Sequence, residues 1–273
     1  IIKELKGTIK KYSGKKASNV ESKFENMVFV QGGKYQPSFA DEEKEVFDIE
    51  VCKYPTTQKM WMEVMENNPS YSKGDNRPVE NITWWQALDY CNKLSEKYGL
   101  EHVYDLSKSA QGILMIKELG GETVYPDLAN FKNTEGFRLP TEVEWEWFAR
   151  GGQVAIEQGT FDYTYSGSNN INEVAWDTDN SECDTHDVGL KKPNQLGLYD
   201  CSGNVWEWCY DTTEDIEVGK NYIYKAFDSS NIYRRLKGGS WGDVAEDCAM
   251  LSRSFNQAVD AYSDVGLRIV RTI

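Results

Sequence analysis

Apolar positions in this chain fall into short periodic runs, separated by long stretches with no period at all. Met27-Val28-Phe29-Val30 stops at Gly32-Gly33, and Val46-Phe47-Asp48-Ile49-Glu50-Val51 alternates apolar with polar. Both read as strands ending in turns. Three helices carry start signals. Thr56 or Thr57 precedes Met60, Trp61, Val64 and Met65, with Asn67-Asn68-Pro69 as the stop. Thr83 with Gln86 three residues on makes a capping box ahead of the stripe Trp84, Leu88, Cys91, Leu94 and Tyr98, closed by Gly99. Thr141 with Glu144 makes another, ahead of Trp145, Phe148 and Ala149, and Gly151-Gly152 closes that helix. Ile113–Ile116 reads as a short strand broken at Gly120-Gly121 within a stretch, 100–135, that has the look of an insertion. Residues 151–200 read as loop with short aromatic pieces such as Phe161–Tyr165. Long irregular segments in a compact domain are often functional.

The end of the chain concentrates the contrast. Arg234–Lys237 reads as a strand running into Gly238-Gly239-Ser240-Trp241, and Leu267 and Ile269 alternate with Arg268 and Arg271 as a second strand. Between them, from Gly242 to Asp264, no period persists. An irregular segment held between two strands fits a binding surface carried on a scaffold. It fits a solvated connection equally well on pattern alone.

Composition narrows the choices. At 273 residues there is ample chain for a real core. The net charge of -14 disfavours nucleic acid and anionic lipid as partners. No apolar run approaches ~20 residues, so no transmembrane helix is expected. Residues 1–23 differ from the rest, with seven Lys against two Glu, and read as a basic arm or linker ahead of a domain over 24–273. The chain opens Ile1-Ile2-Lys3, which leaves room for a removed lipid-anchor segment. None of the six cysteines forms a Cys-x-x-Cys pair, so a zinc ribbon or thioredoxin-type site is not expected. Mostly unpaired thiols are expected, Cys91 among them on the apolar face of its helix. His102 and His186 stand in no ligand spacing. No nucleophile elbow, phosphate-cradling loop or His-Glu-x-x-His run is present.

Three longer motifs carry a family resemblance. They are Gly136-Phe137-Arg138-Leu139-Pro140-Thr141-Glu142-Val143-Glu144-Trp145-Glu146, then 194–208 with its Gly203-Asn204-Val205-Trp206-Glu207-Trp208 end, then Leu236-Lys237-Gly238-Gly239-Ser240-Trp241 with the closing Gly266-Leu267-Arg268. In this order they resemble the formylglycine-generating-enzyme, or sulfatase-modifying-factor, family. That resemblance implies an α+β, C-type lectin-like fold, loop-rich with short helices. The family's enzymes bind copper through two cysteines just after the Gly-Gly-Ser-aromatic motif. The matching positions here are Asp243 and Cys248, and a carboxylate is no substitute for a soft thiolate ligand. No catalytic residue is therefore expected. The alternative is a divergent oxidoreductase of that type using Cys248. The family's Gly-Asn-x-Trp-Glu turn also implies a structural calcium, here on Asn204 and Glu207; no other cofactor is expected.

The last segment is also similar to the variable proteins of diversity-generating retroelements, the treponemal type in particular. These carry the same fold and close on a diversified stretch, in which altered adenines often lie in AAY codons. Such codons cannot yield Trp, Met, Lys, Glu or Gln. On that resemblance the variable, ligand-binding positions are Gly242, Asp243, Val244, Asp247, Ser252, Ser254, Phe255, Asn256, Asp260, Tyr262, Ser263 and Asp264, within 238–271. Trp241, Ala245, Cys248, Leu251 and Arg253 fall at scaffold positions. Glu246 and Gln257 lie outside the AAY set, and Ala258 stands where the pattern often has Pro. Trp241, Leu267 and Ile269, with Trp206-Glu207-Trp208, are expected to back the site. Phe255, Asp243 and Tyr262 are expected to be exposed on one face, with Trp241 and Leu267 buried. The expected function is a non-enzymatic binding protein displayed at the cell surface or outer membrane as a lipoprotein. Its expected partner is a protein or other macromolecule.

Overall fold

The computed structural model describes residues 22–126, 129–213 and 233–273; most of the basic arm lies outside them. Three threonines start helices through their side chains. Thr57 accepts from Met60 N–H at the head of α1 (Gln58–Met65). Thr83 and Gln86 form a reciprocal capping box at α2 (Trp84–Lys97), and Thr141 and Glu144 form another at α3 (Glu142–Ala149). Each box satisfies two backbone N–H groups that the first turn leaves without partners.

The helices differ in what they bury. α2 is amphipathic: Trp84, Leu88, Cys91 and Leu94 are buried, while Tyr98 is partly exposed and packs edge-on against Phe24 at 5.2 Å. α3 was expected to show one inward face, but all eight of its residues are buried, three glutamates included. Each glutamate has a cationic partner: Glu144 the guanidinium of Arg138, Glu142 that of Arg253, Glu146 that of Arg150. Charges inside protein persist only when paired in this way.

Gly151 and Gly152 close α3 as expected, yet they also open a helix. Gly151, at φ 90°, turns the chain into α4 (Gly152–Gln158), and α5 (Ile171–Val174) follows; both lie in the stretch expected to be loop. The strand expected over Val46–Val51 is two strands, β3 (Lys44–Val46) and β4 (Ile49–Cys52). Between them Asp48 turns aside and accepts from Gly32 N–H at 2.8 Å.

β4 pairs with β1 (Met27–Val30) and with β13 (Val270–Thr272), and β13 pairs with β8 (Phe137–Arg138), giving the order β1-β4-β13-β8. The second four-stranded sheet has the order β11-β10-β9-β12: β9 (Trp206–Thr212), β10 (Tyr233–Lys237), β11 (Arg253–Gln257) and β12 (Val265–Gly266). Two smaller sheets complete the fold: β2 (Gly33–Tyr35) with β3, and β5 (Tyr104–Asp105), β6 (Met115–Lys117) and β7 (Thr123–Val124) together. The mixture is the C-type lectin-like α+β architecture, short helices and small sheets joined by much loop.

Leu267–Ile269 is not the half-exposed strand that alternation suggests. The chain there crosses from the second sheet to the first, with protein on every side. Arg268 is fully buried; its guanidinium donates to Glu207 at 2.8–3.1 Å and to the Cys52 and Tyr199 carbonyls at 2.9 and 2.7 Å. Two apolar cores flank this crossing. One gathers Trp84, Leu88, Trp208, Leu236 and Leu267, and the other Val51, Trp145, Trp147, Phe148 and Val270. All six cysteines are free thiols and only Cys183 is exposed.

Candidate functional site

The C-terminal segment starts on a turn that only glycine permits. Gly238 and Gly239 have φ of 101° and 73°, and a Cβ on Gly239 would meet the Cα and Sγ of Cys248 at 2.7 Å. Asp243 closes the turn: its carboxylate accepts from Ser240 N–H at 2.9 Å, from the Ser240 hydroxyl as well, and the Ser240 oxygen accepts from Gly242 N–H. A run of turns follows, closed by the N–H groups of Asp247, Cys248, Ala249 and Ser252 on the carbonyls three residues earlier, and then β11 forms against β10, with Ser254 opposite Leu236 and Phe255 opposite Arg235. What sequence pattern presents as wholly irregular thus contains a strand. Apart from Phe255 its residues are polar, because it lies at the sheet edge, half in water.

The segment's main chain is pinned from outside itself. Trp241 N–H donates to the Asn204 carbonyl, and the Asp243, Ala258, Tyr262 and Asp264 carbonyls accept from the N–H groups of Thr178, Trp84, Asn81 and Trp206. Met250 N–H donates to the Thr164 carbonyl. These bonds are backbone to backbone, so they do not depend on which side chains the segment carries.

Around this frame opens a cleft of about 480 Å³ lined by Trp206, Leu236, Asp243, Asp247, Arg253, Ser254, Asn256, Tyr262 and Asp264. Trp206 and Leu236 are buried residues of the scaffold strands. The rest of the lining comes from the C-terminal segment and is acidic. Burial, and then the charge of Asp243, raise the Asp264 carboxyl above its ordinary range, and the charge of Asp260 raises the Tyr262 phenol. Arg253 does not neutralise the cleft, because its guanidinium is held by Glu142 at 2.6 and 2.9 Å and lies over the Phe39 ring at 4.4 Å.

The structure brings together Asp243, Asp247, Ser254, Asn256, Tyr262 and Asp264 of the twelve expected positions. Gly242 and Val244 are exposed outside the cleft, and Asp260 accepts from the Tyr262 hydroxyl. Ser252 donates to the Glu246 carbonyl, and the Ser263 carbonyl accepts from the Trp241 indole N–H. Phe255 stands apart. Strand alternation puts it on the face of β11 opposite Ser254 and Asn256, edge-on to Tyr233 at 5.4 Å. The expectation of one face for Phe255, Asp243 and Tyr262 is therefore corrected: the first lies across the strand from the other two.

Two scaffold expectations also change. Trp241 is half-buried rather than buried, held by its main chain, its indole N–H and the Ser181 hydroxyl that donates to its carbonyl. Leu251 is exposed, 49%, because it sits at the outside of a turn. Leu267 and Ile269 are buried as expected. Sequence pattern missed Leu236 and Glu142 as parts of the site. Glu142 had a signal in its motif, as the first residue of a helix whose other acids also meet cations.

The side chains at the copper-pair positions and at the calcium turn are engaged within the fold. Cys248 is buried, its thiol donates weakly to the Ser240 carbonyl, and burial together with Asp243, Asp177 and Asp247 pushes its pKa up, away from thiolate. Asn204 spends its amide on the backbone of His186, accepting from N–H and donating to the carbonyl. Glu207 spends both oxygens on Arg268 and on the Trp145 indole N–H at 2.7 Å. Two side chains already satisfied in this way do not fit a calcium ion, which wants 6–8 oxygens.

Comparison with known proteins places this geometry. The sulfatase-modifying factor enzyme 1-like domain family matches residues 13–273. The chaperone protein LppX of Paenibacillus barcinonensis is 34% identical over 91% of this chain and 90% of its own. The formylglycine-generating enzyme of Streptomyces coelicolor is 37% identical over 52% of this chain and 49% of its own. Among solved structures, the Treponema denticola variable protein 1 superposes with a TM-score of 0.71 at 34% identity, covering 90% of this chain and 95% of that one.

Proposed function

The chain belongs to the sulfatase-modifying factor enzyme 1-like domain family, and within it we propose a variable ligand-binding protein rather than an enzyme. One observation carries the proposal. The lining of the cleft comes mostly from a segment whose backbone is tied down by bonds indifferent to its side chains. Such a surface can change its residues and keep its shape. The likeness to the treponemal variable protein supports the same role. Tyr and Phe among Ser, Asn and Asp is also the composition of antibody paratopes, rigid aromatic anchors among adaptable polar groups.

The ligand is a macromolecule. Val244, Leu251, Phe255, Val259 and Tyr262 are each 45–59% exposed, and they spread beyond the cleft and onto the far face of β11, over more surface than a small molecule covers. No described helix is long and apolar enough to cross a membrane. Display at the cell surface on a lipid anchor, as expected of the variable-protein type, completes the proposal. The oxidoreductase alternative gains nothing from the structure, since the neighbours of Cys248 are carboxylates.

Sequencing the gene and its flanking DNA from many cells of one culture tests the reading. Substitutions confined to adenines of the codons for the twelve positions, beside a near-copy of the 3′ end and a reverse transcriptase, are expected. An invariant segment with no such copy would contradict it.

A further inference from the structure

β11 is the edge of its sheet, and no described residue pairs with its outer side. Its two faces are different surfaces. Ser254 and Asn256 look into the acidic cleft with Leu236 of the neighbouring strand. Phe255, half exposed, looks the other way and packs edge-on against Tyr233. A ligand that touches both Phe255 and the cleft must therefore pass over the strand edge. A strand added alongside β11 does this, because its own side chains alternate between the two faces.

From this we infer that the cleft binds an extended segment of a protein partner as an additional strand on β11, with basic side chains entering the cleft. The inference rests on the binding-protein reading and specifies how that site takes its ligand. The charge follows from the lining. Asp243, Asp247 and Asp264 carry carboxylates into about 480 Å³, and among the described residues of the lining the one cation, Arg253, is held by Glu142. Residues of the added segment that point to the other face pass Phe255, packed on Tyr233 and flanked along the strand by Arg253 and Gln257, so an apolar side chain is favoured beside Phe255. Main-chain bonding to an edge is indifferent to side chains on both partners. It supplies a constant part of the affinity, while the varied positions choose the sequence that enters.

The test uses a twelve-residue peptide of alternating Lys and Val, its Glu-Val counterpart, and two N-methylated forms of the Lys peptide. One form is methylated at every Lys and the other at every Val. Binding to the full chain is measured by calorimetry. The Lys peptide should bind at least tenfold more tightly than the Glu peptide. One N-methylated form should lose binding, and the other should stay within about threefold. Asp247→Asn with Asp264→Asn should erase most of the preference for Lys without shifting the melting temperature. Amide exchange should show β11 N–H groups newly protected when the Lys peptide is added. Equal effects of the two methylation patterns, or no preference for Lys, overturn the inference. If folded proteins selected from a display library bind and are lost in Tyr262→Ser while neither peptide binds, strand addition fails and the binding-protein reading stands.

Discussion

Glu207 shows how a motif residue can be spoken for by the fold. Its carboxylate closes on Arg268 in the crossing between the two large sheets, and both side chains are fully buried. Replacing it with Gln leaves a guanidinium charged and uncompensated. Glu207→Gln should cost about 3–5 kcal/mol in a denaturant melt; a loss below 1 kcal/mol would mean the pair is dispensable. Asp211 makes a different kind of statement. It accepts from Glu142 N–H at 2.6 Å, and burial, reinforced by the Glu142 charge, pushes its carboxyl up to about 8. An acid that holds its proton more tightly when folded makes stability fall as pH rises from the unfolded value near 4 towards 8, and level off above. Asp211→Asn should remove that slope. Melts of both proteins at pH 5, 6, 7 and 8 read it directly, and parallel curves would show that Asp211 is ionised throughout.

At the scale of elements, the capped helices were the most legible part of the chain. Thr83 with Gln86, and Thr141 with Glu144, are local signals, and both boxes form. Thr141→Ala should accordingly cost about 1–2 kcal/mol by chemical denaturation. An unchanged midpoint would show that the buried surroundings of α3 hold it without its cap. The elements that sequence pattern missed share a physical reason: their signals depend on partners far along the chain. Gly151-Gly152 looks like a stop because glycine ends helices, and nothing local says that the same turn starts α4. Arg268 looks exposed because it is charged, and Glu207, 61 residues away, makes its burial possible together with the Cys52 and Tyr199 carbonyls. β11 has no apolar face to announce it, since an edge strand over a polar cleft needs none. Half of the proposed site residues line one cleft, but alternation along β11 put Phe255 on the other side. Periodicity could not show that, because no strand was visible there.

The whole molecule divides into a part that sets shape and a part that only occupies it. Two apolar cores, the buried Arg138–Glu144 pair, the partly buried Arg253–Glu142 pair, and a glycine turn too tight for any Cβ hold the frame. The C-terminal segment hangs on that frame by its main chain. Gly239→Ala should therefore abolish soluble folded protein, whereas changes among the cleft residues should not. Asp243 is the one expected exception, since its carboxylate closes the Ser240 turn. The most direct measurement is a display library in which the twelve codons are randomised to those an altered AAY codon can reach, sorted by protease resistance and sequenced. The account predicts that most variants stay folded, each with single-site changes within about 0.5 kcal/mol of neutral, and that only position 243 returns a narrow choice of Asp, Asn or Ser. Recovery of only a few per cent folded variants, with the present residue required at most of the twelve positions, would contradict it.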